Sequence, residues 1–194
     1  MGVIKTALEI ALEKTESVKS DKSGIHQFEI NQKGKKLAND YLEKEGVNFS
    51  SEIKKIPDEH KLSLKQGIFD ILVTQITLPT NNEGQNRLEK AGKGLAEVIG
   101  KNEFTAMFKQ LLQLTGQYLQ ETSHYDQAIR QQYAPKLRQK EEELARRMGR
   151  EIHIDPMQDP EFIAFYNQNM NALKSNYEGI IEQAKAEAKR LFEK

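Results

Sequence analysis

The C-terminal half of the chain carries the most regular pattern of apolar residues. From Asn102 to Lys194 an apolar residue recurs about once per helical turn, and only the segment 149–159 interrupts the pattern. In the last part, eight residues make seven steps over 25 positions, close to the period of a straight α-helix: Tyr166, Met170, Leu173, Tyr177, Ile181, Ala184, Ala188 and Leu191. The pattern predicts two long helices that form an antiparallel hairpin with its tip near 149–159.

Residues 1–100 predict shorter helices. The first lies between residues 4 and 18 and ends at residues 21–24. The second runs from about residue 31 to Gly46, and the stretch 25–30 between the two fits either a helix or an extended segment.

Two more short helices follow a polar connector. The third begins with a capping box at Ser63, and the fourth begins with a similar box at Asn82. The fourth ends at Gly100 and contains Gly92 and Gly94, each of which lowers helix propensity by about 1 kcal/mol relative to alanine. We therefore expect the backbone of a neighbouring element to approach this helix closely at the glycines.

The two long helices have recognisable ends. Asn102 is the predicted N-cap of the first, Pro135 predicts a kink or a restart within it, and Gly149 ends it. The Asp-Pro-Glu sequence at 159–161 supplies the last helix with a capping carboxylate, a proline in the first helical position and a second acid.

The predicted fold is all-α, an elongated bundle of five to six helices with a long C-terminal antiparallel helical hairpin. We expect residues 1–194 to form a single helical domain, in which residues 1–100 make a bundle of short helices and residues 101–194 make the hairpin. The composition agrees, since 37% hydrophobic and 30% charged residues suit thin helical arms with much surface.

Charge and cysteine content narrow the classes of function. The 29 Lys and Arg residues balance the 29 Asp and Glu residues, so no net charge attracts the protein to nucleic acid or to an anionic membrane. The chain has no cysteine, which excludes disulfides, thiolate metal sites and cysteine nucleophiles. Because no apolar run approaches the length of a membrane span, we expect a cytoplasmic protein without a membrane partner.

The tip of the predicted hairpin gathers residues of the kinds that bind metals. Glu151, His153 and Asp155 would share one side of an extended stretch, and with Asp159 they offer ligands for Zn²⁺, Mn²⁺ or Mg²⁺. Asp159 is also needed as a helix cap, and the spacing matches no established metal motif. We therefore expect no metal and no cofactor, and a metal-dependent hydrolase with its site at the tip is a second alternative.

Basic residues concentrate in 136–150, where they alternate with glutamates. Glu142 with Arg146 and Glu143 with Arg147 have the spacing of ion pairs on one helix, which favours a solvated, self-paired face. An RNA- or ribosome-associated factor that uses this face is the first alternative. The four histidines lie in different elements and no nucleophile motif is present, so we expect no catalytic residue.

Two stretches identify a resemblance to a known family. They are residues 7–15, Ala-Leu-Glu-Ile-Ala-Leu-Glu-Lys-Thr, and the longer run from Pro135 through Ile154-Asp155-Pro156 to Phe162. Both resemble a family of short, uncharacterised bacterial proteins with a domain of unknown function. The resemblance implies a bacterial, cytoplasmic, helical protein and supplies no activity or catalytic residue.

These observations together predict a non-enzymatic interaction or scaffolding protein. Its partner is expected to be another protein or a second copy of the chain, bound through an apolar helix face. The predicted interaction face consists of five residues of the last helix: Tyr166, Met170, Leu173, Tyr177 and Ile181.

Overall fold

The computed structural model describes residues 7–44 and 46–194, with side chains from Gly24 onwards. The described residues form six α-helices: α1 (Ala7–Glu43), α2 (Phe49–Lys54), α3 (Asp58–Val73), α4 (Asn82–Ile99), α5 (Asn102–Met148) and α6 (Pro160–Glu193). A single 3-10 turn, Pro156–Gln158, precedes α6, and this described part of the chain contains no strand. The predicted all-α class is therefore confirmed.

The helices group into two compact units. The first unit comprises the described residues up to Gln75 together with Lys90–Lys101, and the second comprises Ile76–Glu89 together with Asn102–Lys194. Helix α4 contributes to both, because its chain passes from one unit to the other between Glu89 and Lys90.

In the first unit, α1 and α3 pack backbone against backbone. A Cβ added to Gly34 would overlap the carbonyl oxygen of Leu64, and one added to Gly67 would overlap that of Asn31. The Asn31 amide donates to the carbonyl oxygen of Ser63 at 3.4 Å. Residue numbers of contacting pairs increase together along the two helices, from Asn31 with Ser63 to Lys35 with Asp70, so α1 and α3 run in the same direction.

Two predicted boundaries in this unit are wrong. Helix α1 is continuous through residues 21–24, where the sequence suggested an end. A Cβ at Gly24 would have nothing within 4 Å, so no close approach or turn requires glycine there, and one helical glycine costs only about 1 kcal/mol. Helix α3 begins at Asp58 rather than at Ser63, because Pro57 occupies the capping position and two acids follow it near the positive helix end.

Neighbours do approach Gly94 closely, but they are side chains and not the expected backbone. A Cβ there would lie 2.8 Å from a methyl carbon of Leu72, 2.9 Å from the ring of Phe49 and 3.0 Å from the ring of Tyr41. Gly100 ends α4 with a φ of 68°, as predicted.

In the second unit, α5 runs through Pro135 as one helix, so the chain does not restart there. The rings of Tyr118 and Tyr177 lie 5.0 Å apart, and the Tyr177 hydroxyl donates to Glu121 at 2.8 Å. Further along, the rings of Tyr133 and Phe162 lie 5.2 Å apart. The contact residue with the higher number on α5 pairs with the lower-numbered one on α6, so the two helices run in opposite directions where they touch.

Candidate interaction surface where α5 meets α6

The chain leaves α5 through a glycine. Gly149 has a φ of 67°, and its N–H donates to the carbonyl oxygen of Ala145 at 2.8 Å. This left-handed ending satisfies a carbonyl of the last turn and strongly favours glycine, which has no Cβ. The predicted end of the helix at Gly149 is confirmed.

Glu141 holds the following segment against α5. One of its carboxylate oxygens accepts the backbone N–H of Ile154 at 2.9 Å and lies 3.1 Å from Nδ1 of His153. Burial alternates along residues 151–155, with Ile152 and Ile154 partly covered and the polar residues exposed. The alternation expected from the sequence is confirmed.

Two aspartates then start the two helical turns that follow. Asp155 accepts the N–H of Met157 at 3.0 Å and caps the 3-10 turn. Asp159 accepts the N–H of Glu161 at 3.0 Å and caps α6, with Pro160 in the first helical position. The predicted capping role of Asp159 is confirmed.

Asp159 is also the centre of an ionic network that joins α6 to α5. Asp159 is only 5% exposed. Its carboxylate lies 2.7 Å from Nζ of Lys140 and accepts a hydrogen bond from the hydroxyl of Tyr133 at 3.2 Å. Glu161 lies 2.7 Å from Nζ of Lys136 and 3.2 Å from that of Lys140. We call these five residues the clasp.

The electrostatics of the clasp favour the usual charge states. The hydrogen bond with Lys140 lowers the pKa of Asp159, and the same bond raises the pKa of Lys140. Burial raises the pKa of the Tyr133 hydroxyl. Every shift moves the pKa further from neutrality, whereas acid–base catalysis needs pKa values near the working pH. The network is suited to holding the two helices rather than to transferring protons.

Beside the clasp lies a groove of about 350 Å³. Its lining combines apolar side chains with charged ones: Lys140, Glu143, Leu144, Arg147, Ile154, Asp159 and Pro160. Near it along the chain, Met148 is 55% exposed and Met157 is 47% exposed, and Leu144 is also exposed. We call Leu144, Arg147, Met148, Ile154, Met157 and Pro160 the tip surface.

The four metal-ligand candidates have separate environments. Asp159 is the α6 cap in the clasp, Asp155 caps the 3-10 turn, and His153 contacts Glu141, while Glu151 is exposed. Within the described residues, no three His, Asp or Glu side chains are grouped so that they could hold a metal ion.

The predicted interaction face of α6 is largely covered within the second unit. Leu173 and Ile181 are buried, and Tyr177 contacts Tyr118. Tyr166 and Met170 pack against the buried cluster of Ile129, Tyr133 and Phe162. A partner would have to displace these contacts to reach this face.

The basic tract divides into paired and unpaired residues. Lys136 and Lys140 belong to the clasp, and Arg146 lies 3.9 Å from Glu142, as its spacing predicted. Arg147 and Arg150 have no ion-pair partner among the residues that the structure describes, so the predicted pair of Glu143 with Arg147 is not formed.

Sequence reasoning missed Tyr133 and Glu141 as organisers of the tip and took Lys140 for part of a solvated face. The partners of Lys140 and Glu141 lie 19 and 13 residues further along the chain. The hairpin that the sequence predicts places residue 140 roughly opposite the start of α6, but it does not fix which side chains pair.

Comparison with known families places this geometry in context. Residues 50–190 match the family described as "Family of unknown function (DUF6657)". The chain belongs to this family. The DUF6657 match includes the groove and the clasp and leaves out α1.

No curated protein and no solved structure matches the chain. In the described residues, no helix is both long enough and apolar enough to cross a membrane.

Proposed function

We propose that this DUF6657 chain is a non-enzymatic helical protein that binds another protein through the tip surface. The observation that carries the proposal is a groove lined in part by the exposed Leu144, with the exposed Met148 and Met157 close to lining residues along the chain. Exposed methionines are frequent on surfaces that bind other proteins, because the flexible thioether adapts to different shapes. The cytoplasmic address expected from the sequence remains part of this proposal.

The clasp supports a binding role because it fixes the surface before a partner arrives. Lys140 and Glu141 attach α6 and the connecting segment to α5 at points next to the groove. A preformed surface loses less conformational entropy on binding than a mobile one. The predicted interaction face of α6 is largely covered by contacts within the second unit, so we propose that the partner docks at the tip instead.

Site-specific photo-crosslinking in cells tests the proposal. A photoreactive residue at Met148 should capture a defined protein, and the same residue at the exposed Gln139 should not capture it. Because the two positions are nine residues apart, they point to opposite sides of α5, about 180° apart.

The captured protein must then bind the purified chain, and Met148→Asp should weaken that binding at least about tenfold. Equal capture at both positions, or a purified candidate that binds wild type and Met148→Asp alike, would contradict the proposal.

A further inference from the structure

We infer that the groove of the tip surface binds an acidic segment of a partner protein, with a large aliphatic side chain of that segment as its anchor. This inference rests on the proposed function and adds the chemistry of the partner.

The apolar part of the groove selects the anchor. Leu144 lies on α5, while Ile154 and Pro160 come from the connecting segment and the start of α6, so three parts of the chain contribute to the apolar lining. The volume of about 350 Å³ is at the lower end of the range for ligand sites, which suits one or two aliphatic side chains.

The charged part of the groove selects the flanking residues. The charge of Lys140 is already balanced by Asp159 and Glu161. Arg147 lines the groove and is unpaired among the described residues. A glutamate that flanks the anchor on this side would complete an ion pair with Arg147.

Glu143 gives the bound segment a direction. It lines the groove one turn before Arg147, so it repels acids at that end of the lining. The acidic residues of the partner should therefore lie beside the C-terminal end of α5, beyond the anchor and away from Glu143.

RNA fits the same surface less well. A phosphate backbone needs several unneutralised basic residues along its path, whereas in the lining of the groove Lys140 is balanced by Asp159 and Glu161, which leaves the unpaired Arg147. Residues 134–161 also contain no Phe, Tyr or Trp on which bases could stack. The exposed methionines and Leu144 have no use in binding a phosphate backbone.

Fluorescence anisotropy with three labelled probes tests the inference. The first probe is a short helical peptide with leucine on one face and glutamate elsewhere, the second has lysine in place of each glutamate, and the third is a uridine oligonucleotide. Wild-type protein should bind the glutamate peptide, more weakly at high salt, and should bind the other two at least about tenfold more weakly.

Two charge-reversed variants separate the groove from general electrostatics. Arg147→Glu should weaken binding of the glutamate peptide at least about tenfold and strengthen binding of the lysine peptide. Arg138→Glu is the matched control, since Arg138 is exposed on the opposite side of α5, nine residues away, and should change binding less than about twofold. Unchanged circular dichroism melts would show that both variants fold.

Each contrary result has a distinct meaning. Equal binding of the two peptides, or equal effects of the two variants, overturns the acidic chemistry. If the peptides fail while the partner captured at Met148 still binds, the inference is wrong and the proposed function stands. Binding of the uridine oligonucleotide that Arg147→Glu abolishes would replace the acidic segment with the nucleic-acid alternative. If the peptides fail and the crosslink at Met148 also captures no protein, both the inference and the proposed function are wrong.

Discussion

The chain contains two helix pairs that are held together in opposite ways. In the first unit, α1 and α3 meet at Gly34 and Gly67, where each backbone occupies the space of the other's missing side chain. In the second unit, α5 and α6 meet through large rings, such as those of Tyr133 and Phe162, and through the clasp.

The difference determines where a binding site can form. Backbone contact brings helix axes close and fills the interface with main-chain atoms, so little room remains for a ligand. Large side chains hold the axes further apart and leave grooves between them. Besides the groove at the tip, one of about 210 Å³ lies between α5 and α6, where Leu111 and Ala184 contribute to its lining.

Removing a large ring should break the contact between α5 and α6. Phe162 is 1% exposed and packs on the rings of Tyr133 and Tyr166. Phe162→Ala leaves a cavity in this cluster and should lower the free energy of unfolding by about 4 kcal/mol, measured by urea denaturation. Hydrogen exchange should accelerate in the first turns of α6.

The matched control is Phe28→Ala, because Phe28 is 63% exposed. Its effect should stay within about 0.5 kcal/mol. If the two substitutions cost the same, the ring cluster does not hold the pair together.

Adding a single methyl group at Gly67 should weaken the packing of α1 against α3. Gly67→Ala places a Cβ against the carbonyl oxygen of Asn31, and main-chain atoms cannot move aside without separating the helices. We expect a loss of about 3 kcal/mol in the free energy of unfolding, together with faster exchange of amides in α3.

Gly116→Ala provides the control for this second prediction. Gly116 lies inside α5, and a Cβ there would have nothing within 4 Å. The same substitution should therefore stabilise the protein by up to about 1 kcal/mol, since alanine favours the helix. Destabilisation by both substitutions would show that glycine matters for some reason other than close approach.

The apolar pattern predicted the helical class and the long helices. It failed where the role of a glycine depends on tertiary contacts. Gly24 and Gly34 both lie within α1, yet only Gly34 has a neighbour that a Cβ would strike. Local sequence cannot distinguish them, because the deciding atoms of Leu64 belong to a helix 30 residues away in the chain.

The site shows the same limit. The capping role of Asp159 was predictable, since a cap depends only on the residues next to it. Its pairing with Lys140 was not, because the register between α5 and α6 is set by ring contacts such as Tyr118 with Tyr177. The tip surface could be found only after that register was known.

The smallest expected effect separates the two roles of Asp159. Asp159→Ala removes both the cap and the ion pair and should lower the free energy of unfolding by about 2 kcal/mol. Asp159→Asn keeps a capping oxygen and removes only the charge, so it should cost about half as much. Equal losses in the two variants would assign the whole effect to the ion pair.

The pH dependence of the same variants gives the sign of the ionic contribution. Lys140 lowers the pKa of Asp159 below its usual 3.8, so the folded state holds this proton less tightly than the unfolded state. The stabilisation is therefore complete above about pH 4 and is lost as the pH falls through the pKa of the folded state. The difference in melting temperature between wild type and Asp159→Asn should be constant between about pH 5 and pH 8 and should shrink as the pH falls below about 4. A difference that persists at low pH would show that the carboxylate stabilises the tip by its hydrogen bonds alone, without its charge.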